Sequence, residues 1–123
     1  MDRILLVDDK NIVRSVFKQV FTGLPIEVDT TRSFNKALKL LQNRSYNLVI
    51  ADLVATGNIT IPEGFEVIRQ AKRMQSSCKV VATGSGEDGV QEKALGLGAD
   101  YYLERPVSPL KVKEMLQSAG MEI

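Results

Sequence analysis

The sequence predicts an α/β domain: a doubly wound, five-stranded parallel sheet carrying five helices. Three observations lead there. Five short apolar runs are distributed along the chain, most of them continuously apolar rather than alternating, which is the pattern of strands covered on both faces. A stretch with helical periodicity follows each run, and strict strand–helix alternation gives an open parallel sheet wound by right-handed crossovers. The 123 residues suffice for one domain of ordinary size and not for two, so residues 1–123 are expected to form a single domain.

In chain order, the first strand is Ile4-Leu5-Leu6-Val7, and Ile12, Val13, Val16, Phe17, Val20 and Phe21 then form one apolar helical stripe. Ile26-Glu27-Val28 is the second strand. Phe34, Ala37, Leu38 and Leu41 form the second stripe, with Ser33 placed to cap it. Leu48-Val49-Ile50-Ala51 is the third strand, followed by the one long irregular stretch, Val54 to Glu63, and a third helix through Phe65, Ile68 and Ala71. Val80-Val81-Ala82 is the fourth strand. Val90, Ala94, Leu95 and Leu97 make a weaker fourth helix, diluted by Gly89 and Gly96. Tyr101-Tyr102-Leu103 is the fifth strand, and Ser108-Pro109 opens a last helix on Leu110, Val112, Met115 and Leu116, with serine as cap and proline in the first turn.

Composition narrows the chemistry. Hydrophobic residues make up 44% and charged residues 25%, a globular balance, and the formal net charge of +1 gives no reason to expect nucleic acid or an anionic membrane as the main partner. There is no histidine, which removes histidine-based nucleophile systems, histidine metal sites and histidine pH switches. The single cysteine, Cys78, excludes an internal disulfide and a paired-cysteine metal knuckle, and fits a reducing, cytoplasmic setting. The remaining chemistry is that of carboxylates, hydroxyls, lysine and arginine, and an oxygen-ligated metal.

In open α/β sheets, ligands bind beyond the carboxyl ends of the strands. The first strand ends in Asp8-Asp9, the third in Asp52, the fourth in Thr83 and the fifth in Glu104-Arg105-Pro106. Each acid alone reads as a solvated loop starter; the set converging on one rim does not. Crowded carboxylates raise one another's pKa unless a cation intervenes, and Mg²⁺ takes oxygen ligands of this kind. Three carboxylates, one Mg²⁺ and Arg105 sum to neutrality.

This set resembles the receiver domain of bacterial two-component response regulators, a flavodoxin-like fold. It is carried by Asp8-Asp9, Asp52, Thr83 and the basic residue before Pro106, together with Leu97-Gly98-Ala99-Asp100-Tyr101-Tyr102-Leu103, and it covers the whole chain. The resemblance implies that Asp52 accepts a phosphoryl group from a sensor histidine kinase or phosphotransfer protein. Asp8, Asp9, Asp52 and the backbone carbonyl of Val54 would hold Mg²⁺. Thr83 would bond the phosphoryl oxygens, with Tyr102 as the switch aromatic. The fourth helix, fifth strand and fifth helix would form the face that controls a downstream effector protein or domain, or pairs two copies. Such a domain is no enzyme beyond catalysing its own phosphorylation and dephosphorylation. The kinase and the output, including any effector domain after Ile123, are not legible.

Three departures stand out. Arg105 replaces the family's lysine, a planar fork in place of a compact ammonium. The loop after Asp52 has Ala55, Thr56 and Thr60 where a Met-Pro pair and a glycine are usual, and Pro62-Glu63-Gly64 arrives late, as if four residues were inserted. Val54 and Ser85 stand where side chains flank the path of an attacking water, and neither orients water well, so a long-lived phosphorylated state is expected.

Rival readings are weaker. Gly84-Ser85-Gly86-Glu87-Asp88-Gly89 matches a dinucleotide-binding fingerprint, but Glu87 and Asp88 would repel a pyrophosphate and only one strand remains after it. A haloacid-dehalogenase-type phosphatase needs an acid where Val54 stands. The serious alternative is a receiver-like interaction module that signals by protein binding without a phosphorylation cycle, motivated by Arg105 and the altered loop.

Overall fold

The computed structural model describes residues 2–55 and 59–121. Its main sheet has five parallel strands: β1 (Asp2–Val7), β2 (Ile26–Thr31), β3 (Leu48–Asp52), β6 (Lys79–Gly84) and β7 (Tyr101–Glu104), in the spatial order β2-β1-β3-β6-β7. The order reverses direction beside β1, so the crevice outside the carboxyl ends of β1 and β3 is the topological switch point. Each strand runs beyond its predicted apolar run, and the extension matters at two places: Asp52 and Thr83 lie within their strands and pair in register.

The helices are α1 (Asn11–Phe21), α2 (Phe34–Asn43), α3 (Pro62–Met74), α4 (Val90–Gly96) and α5 (Pro109–Ser118). Helices α1 and α5 cover one sheet face, where Phe17, Val20, Val112 and Leu116 pack on Ile4, Leu6, Ile50 and Val81. Helices α2, α3 and α4 cover the other, where Ala37, Leu41, Ile68, Ala71 and Ala94 pack on Leu5, Val49, Val80 and Ala82. Alternate residues of β1, β3, β6 and β7 feed opposite clusters, which is why those runs are continuously apolar, whereas β2 offers only Ile26 and Val28, to the cluster under α1 and α5. Ser33 and Ser108 cap their helices as expected, accepting from the backbone N–H groups of Lys36 and Lys111, both at 3.2 Å.

Several expectations need correction. Ile12, Leu95 and Leu110, counted in helical stripes, are exposed, at 80%, 43% and 65%. Ile12 and Leu110 sit in the first turns of α1 and α5; at about 100° per residue, Leu110 falls on the side of α5 away from the buried Val112, Met115 and Leu116, and Ile12 falls off the side of α1 that buries Val13, Phe17, Val20 and Phe21. Nor is the stretch after Asp52 irregular to Glu63. Val54–Ala55 (β4) and Ile59–Thr60 (β5) pair antiparallel, Val54 opposite Thr60, and α3 already begins at Pro62. Thr56 lies outside the described residues. The Thr60 hydroxyl donates to Glu87 at 2.6 Å, tying this ribbon to the loop between β6 and α4.

Candidate functional site

Parallel register brings the strand ends together. Val7 pairs with Ala51 and Asp52 with Thr83, so Asp8, just past β1, Asp52 and Thr83 meet on one rim, and Arg105 follows β7 onto it. Among the described residues, Asp8, Asp9 and Asp52 are the acids whose carboxylate oxygens lie within 4.8 Å of one another, as a shared metal ion requires. Asp8 and Asp52 are almost fully buried, with side chains 1% exposed, whereas Asp9 is half open. Burial raises the Asp8 pKa, as does the charge of Asp52; the Lys10 backbone N–H and the charges of Arg105 and Lys10 pull the other way without cancelling it.

Arg105 points into the site. Its Nη2 donates to Asp52 Oδ1 at 2.5 Å, to Asp8 Oδ2 at 3.0 Å and to Thr83 Oγ1 at 3.3 Å. One nitrogen thus serves three acceptors, in place of two parallel bonds to one anion. The neighbouring Nε is buried with no hydrogen-bond partner, a donor whose desolvation costs about 1–3 kcal/mol.

The residue that sequence reasoning missed is Lys10. Its Nζ donates to Asp52 Oδ2 at 2.8 Å, to Asp9 Oδ1 at 3.0 Å and to the Val54 carbonyl, and lies 4.0 Å from Asp8 Oδ1. Burial alone would lower its pKa, but the bonds to Asp52 and Asp9 and the surrounding carboxylate charge outweigh burial and hold the ammonium above the ordinary lysine value. The neutral charge sum therefore left out a second cation: before any metal is counted, Lys10 faces all three carboxylates and Arg105 faces Asp8 and Asp52. The available signal was a lysine directly after the acidic pair, which reads equally well as the residue before a helix.

Val54 is fixed by its neighbour, its N–H donating to Asp52 Oδ1 at 2.9 Å. Its side chain is buried in the apolar cluster beneath α3 and does not border open space, contrary to the water-path expectation. Thr83 is fully buried. Tyr102 packs against the cluster shared with α4, and its hydroxyl accepts from Gly86 N–H at 3.4 Å. Gly84 makes that placement possible, because a Cβ there would lie 2.1 Å from the tyrosine oxygen. The dinucleotide-like glycine loop borders a cleft lined by Glu87, Asp88, Glu92 and Glu104, an acidic surround hostile to a pyrophosphate.

The donor set suits a hard divalent ion: three carboxylates and a backbone carbonyl, all oxygen. No helix among the described residues is long and apolar enough to cross a membrane.

A family model for the response regulator receiver domain matches residues 4–117. The chain is 26% identical over 122 residues to the transcriptional regulatory protein ResD of Bacillus subtilis, covering 96% of this chain and 49% of that protein. It spans about half the length of the curated relatives it matches. Among solved structures, it superposes with a TM-score of 0.80 on the Vibrio cholerae chemotaxis protein CheY4, at 21% identity, covering 97% of this chain and 98% of that one. It superposes with a TM-score of 0.77 on the response regulator protein TrrA of Thermotoga maritima in complex with Mg²⁺ and BeF, at 25% identity, covering 97% and 99%.

Proposed function

The chain belongs to the response regulator receiver domain family, and from that premise we propose that Asp52 is its phosphoacceptor, loaded by a sensor histidine kinase or phosphotransfer protein. The observation that carries this reading is the Asp52 carboxylate itself, buried at the end of β3 between two acids, a hydroxyl and two cations. An aspartate is a weak nucleophile, so the site's contribution is positioning and charge compensation as the phosphoryl group moves from donor nitrogen to carboxylate oxygen. The electron pair of the broken bond leaves with the donor. Arg105 compensates charge on the transferring group from the β7 side, and Thr83, already bonded to Arg105, is placed to bond a phosphoryl oxygen. Asp8, Asp9, Asp52 and the Val54 carbonyl would hold Mg²⁺, which supplies Lewis-acid neutralisation of phosphoryl charge when bound.

The consequence would travel through Thr83 and Tyr102 to the face made by α4, β7 and α5, which would bind an effector protein or domain or a second copy of the chain. The reading places the domain in the cytoplasm, with no enzymatic activity beyond its own phosphorylation and dephosphorylation. Incubation with acetyl phosphate and Mg²⁺ should add one phosphoryl group by intact mass spectrometry. Asp52→Asn should abolish it; modification persisting in that variant would place the acceptor elsewhere.

One observation favours the second reading, an interaction module without a phosphorylation cycle: both oxygens of Asp52 already accept from cations. Beryllofluoride with Mg²⁺ separates the two. Unchanged chemical shifts near Asp52 and Tyr102 would favour binding alone.

A further inference from the structure

We propose that Lys10 is a tethered counter-ion that occupies the divalent-cation position of this site, so that metal loading and release of Lys10 are one exchange. The inference rests on reading Asp8, Asp9, Asp52 and the Val54 carbonyl as the metal-binding set, and it adds a regulator that this set does not require.

The geometry is specific. An ammonium has three N–H donors, and Lys10 directs them to Asp9, Asp52 and the Val54 carbonyl, three of the four groups assigned to the metal; the fourth, Asp8, lies 4.0 Å away. A dication needs those same oxygens, and it would meet a like charge at contact distance if Lys10 stayed. The two cannot share the site.

The tether is fixed at its base, while its head is held only by the groups it would yield to a metal. Lys10 is the N-cap residue of α1, in extended conformation, and its backbone N–H donates to Asp8 Oδ1 at 2.9 Å. Its side chain is 24% exposed, so a flexible four-carbon stem has a route to solvent that disturbs neither β1 nor α1. Arg105 has no comparable freedom, being 14% exposed and bonded to Asp8, Asp52 and Thr83 together. Lys10 is therefore the cation that exchanges, and Arg105 the one that remains. Before metal arrives, Lys10 relieves repulsion among the three carboxylates. The domain would then hold its site together without metal and bind metal more weakly than the bare carboxylate set would.

The test is Mn²⁺ binding to metal-stripped protein, read from the electron paramagnetic resonance signal of free Mn²⁺ with no phosphodonor present. Lys10→Met should lower Kd about tenfold or more, while Lys113→Met, which removes an equal charge from α5, should stay within about twofold of wild type. In EDTA, Lys10→Met should melt below wild type, and saturating Mg²⁺ should close the gap. A Lys10→Met Kd within twofold of wild type, or weaker, overturns the proposal. Should Lys10→Met fail to fold, wild type decides: the Lys10 Cε–Hε signal, assigned by its loss in Lys10→Arg, must shift along with the Asp8 and Asp9 amides as Mg²⁺ is added. A Lys10 signal that stays fixed while those amides move overturns it equally. Because no phosphodonor is used, failure of acetyl phosphate to modify Asp52 would sink the phosphoacceptor reading and leave a Lys10 effect standing. Mn²⁺ bound by neither wild type nor Lys10→Met would overturn both.

Discussion

Gly64→Ala separates local helix preference from the packing of the site. Gly64 lies in the first turn of α3, where it is buried against the end of β3. A Cβ at this position would stand 2.3 Å from the Asp52 carbonyl oxygen, 3.1 Å from its carbon and 2.9 Å from Leu53 Cδ2. Helix propensity alone favours alanine over glycine by roughly 1 kcal/mol. The overlap works against it, since an ordinary contact of ~3.5 Å requires a shift of roughly 1 Å between the α3 start and the β3 backbone. The closest obstacle is backbone of a strand buried along its whole length, so it cannot yield as a flexible side chain would. Overpacking of this kind costs about 1–3 kcal/mol, more than the propensity gain at a helix end, and the net expectation is ~1–2 kcal/mol of destabilisation. For a domain of this size that is a fall in Tm of several degrees, on the order of 3–5 °C per kcal/mol. Urea unfolding followed by circular dichroism should show a lower midpoint with an unchanged slope. Acceptance of a phosphoryl group from acetyl phosphate should slow as well, because the displaced backbone carries Asp52. A Gly64→Ala protein as stable as wild type, or more so, would mean that propensity wins and that the close approach of α3 to Asp52 does not constrain the fold.

Gly84→Ala should push the Tyr102 ring out of its place beside β6, because the new Cβ overlaps the tyrosine hydroxyl; NMR of the Tyr102 ring should show an outward rotamer without beryllofluoride, and an unchanged ring would refute it. Asp100→Asn tests the Lys72–Asp100 pair at 2.7 Å, where burial works against ionisation but the Lys72 bond, the Val80 N–H and lysine charge hold the Asp100 pKa below the ordinary aspartate value. A depressed folded pKa contributes stability above the unfolded value near ~3.9 and loses it as pH falls through the folded value, so the variant should be ~0.5–1 kcal/mol less stable at pH 7 and equal wild type once acid has protonated Asp100. Arg105→Ala removes a buried partner of Asp8 and Asp52 and should cost ~3 kcal/mol in EDTA, with Arg105→Lys recovering most of it; equal melting of all three proteins would place the charge balance elsewhere.

Much of this was legible in the sequence, for identifiable reasons. Strands covered on both faces read as apolar runs, so the five sheet strands and their order of appearance could be read directly, and Ser33 and Ser108 marked helix starts by the chemistry of their hydroxyls. Strand ends then pointed to Asp8, Asp52, Thr83 and Arg105, and the structure brings the first three within hydrogen-bonding range of one guanidinium nitrogen of Arg105. The β4–β5 ribbon was not legible, because two-residue strands are shorter than any periodicity. Ile12 and Leu110 misled because they are apolar and adjoin their stripes in sequence, whereas at about 100° per residue they fall off the buried faces of α1 and α5.

Lys10 was hidden for a different reason, and it changes the electrostatic argument. Counting charges from strand ends treats each carboxylate as waiting for a metal, yet a chain can supply its own cation wherever a long side chain leaves the backbone next to the acids. Lys10 and Arg105 approach Asp52 from opposite sides, one on Oδ2 and the other on Oδ1. They differ in what they can surrender. Arg105 is bonded to Thr83 as well as to both buried acids, and holds an unpartnered Nε in a dry setting. Lys10 rests on Asp9, the most exposed of the three acids, and on a carbonyl of the two-stranded ribbon whose Thr60 reaches Glu87. The side of Asp52 facing Lys10 is thus joined through that ribbon to the loop before α4, while the Arg105 side is joined through Thr83 to β6. Exchange would pass the Val54 carbonyl from Lys10 to the metal and leave the Arg105 contacts in place, so it would be felt first by the inserted ribbon and only then by the face formed by α4, β7 and α5.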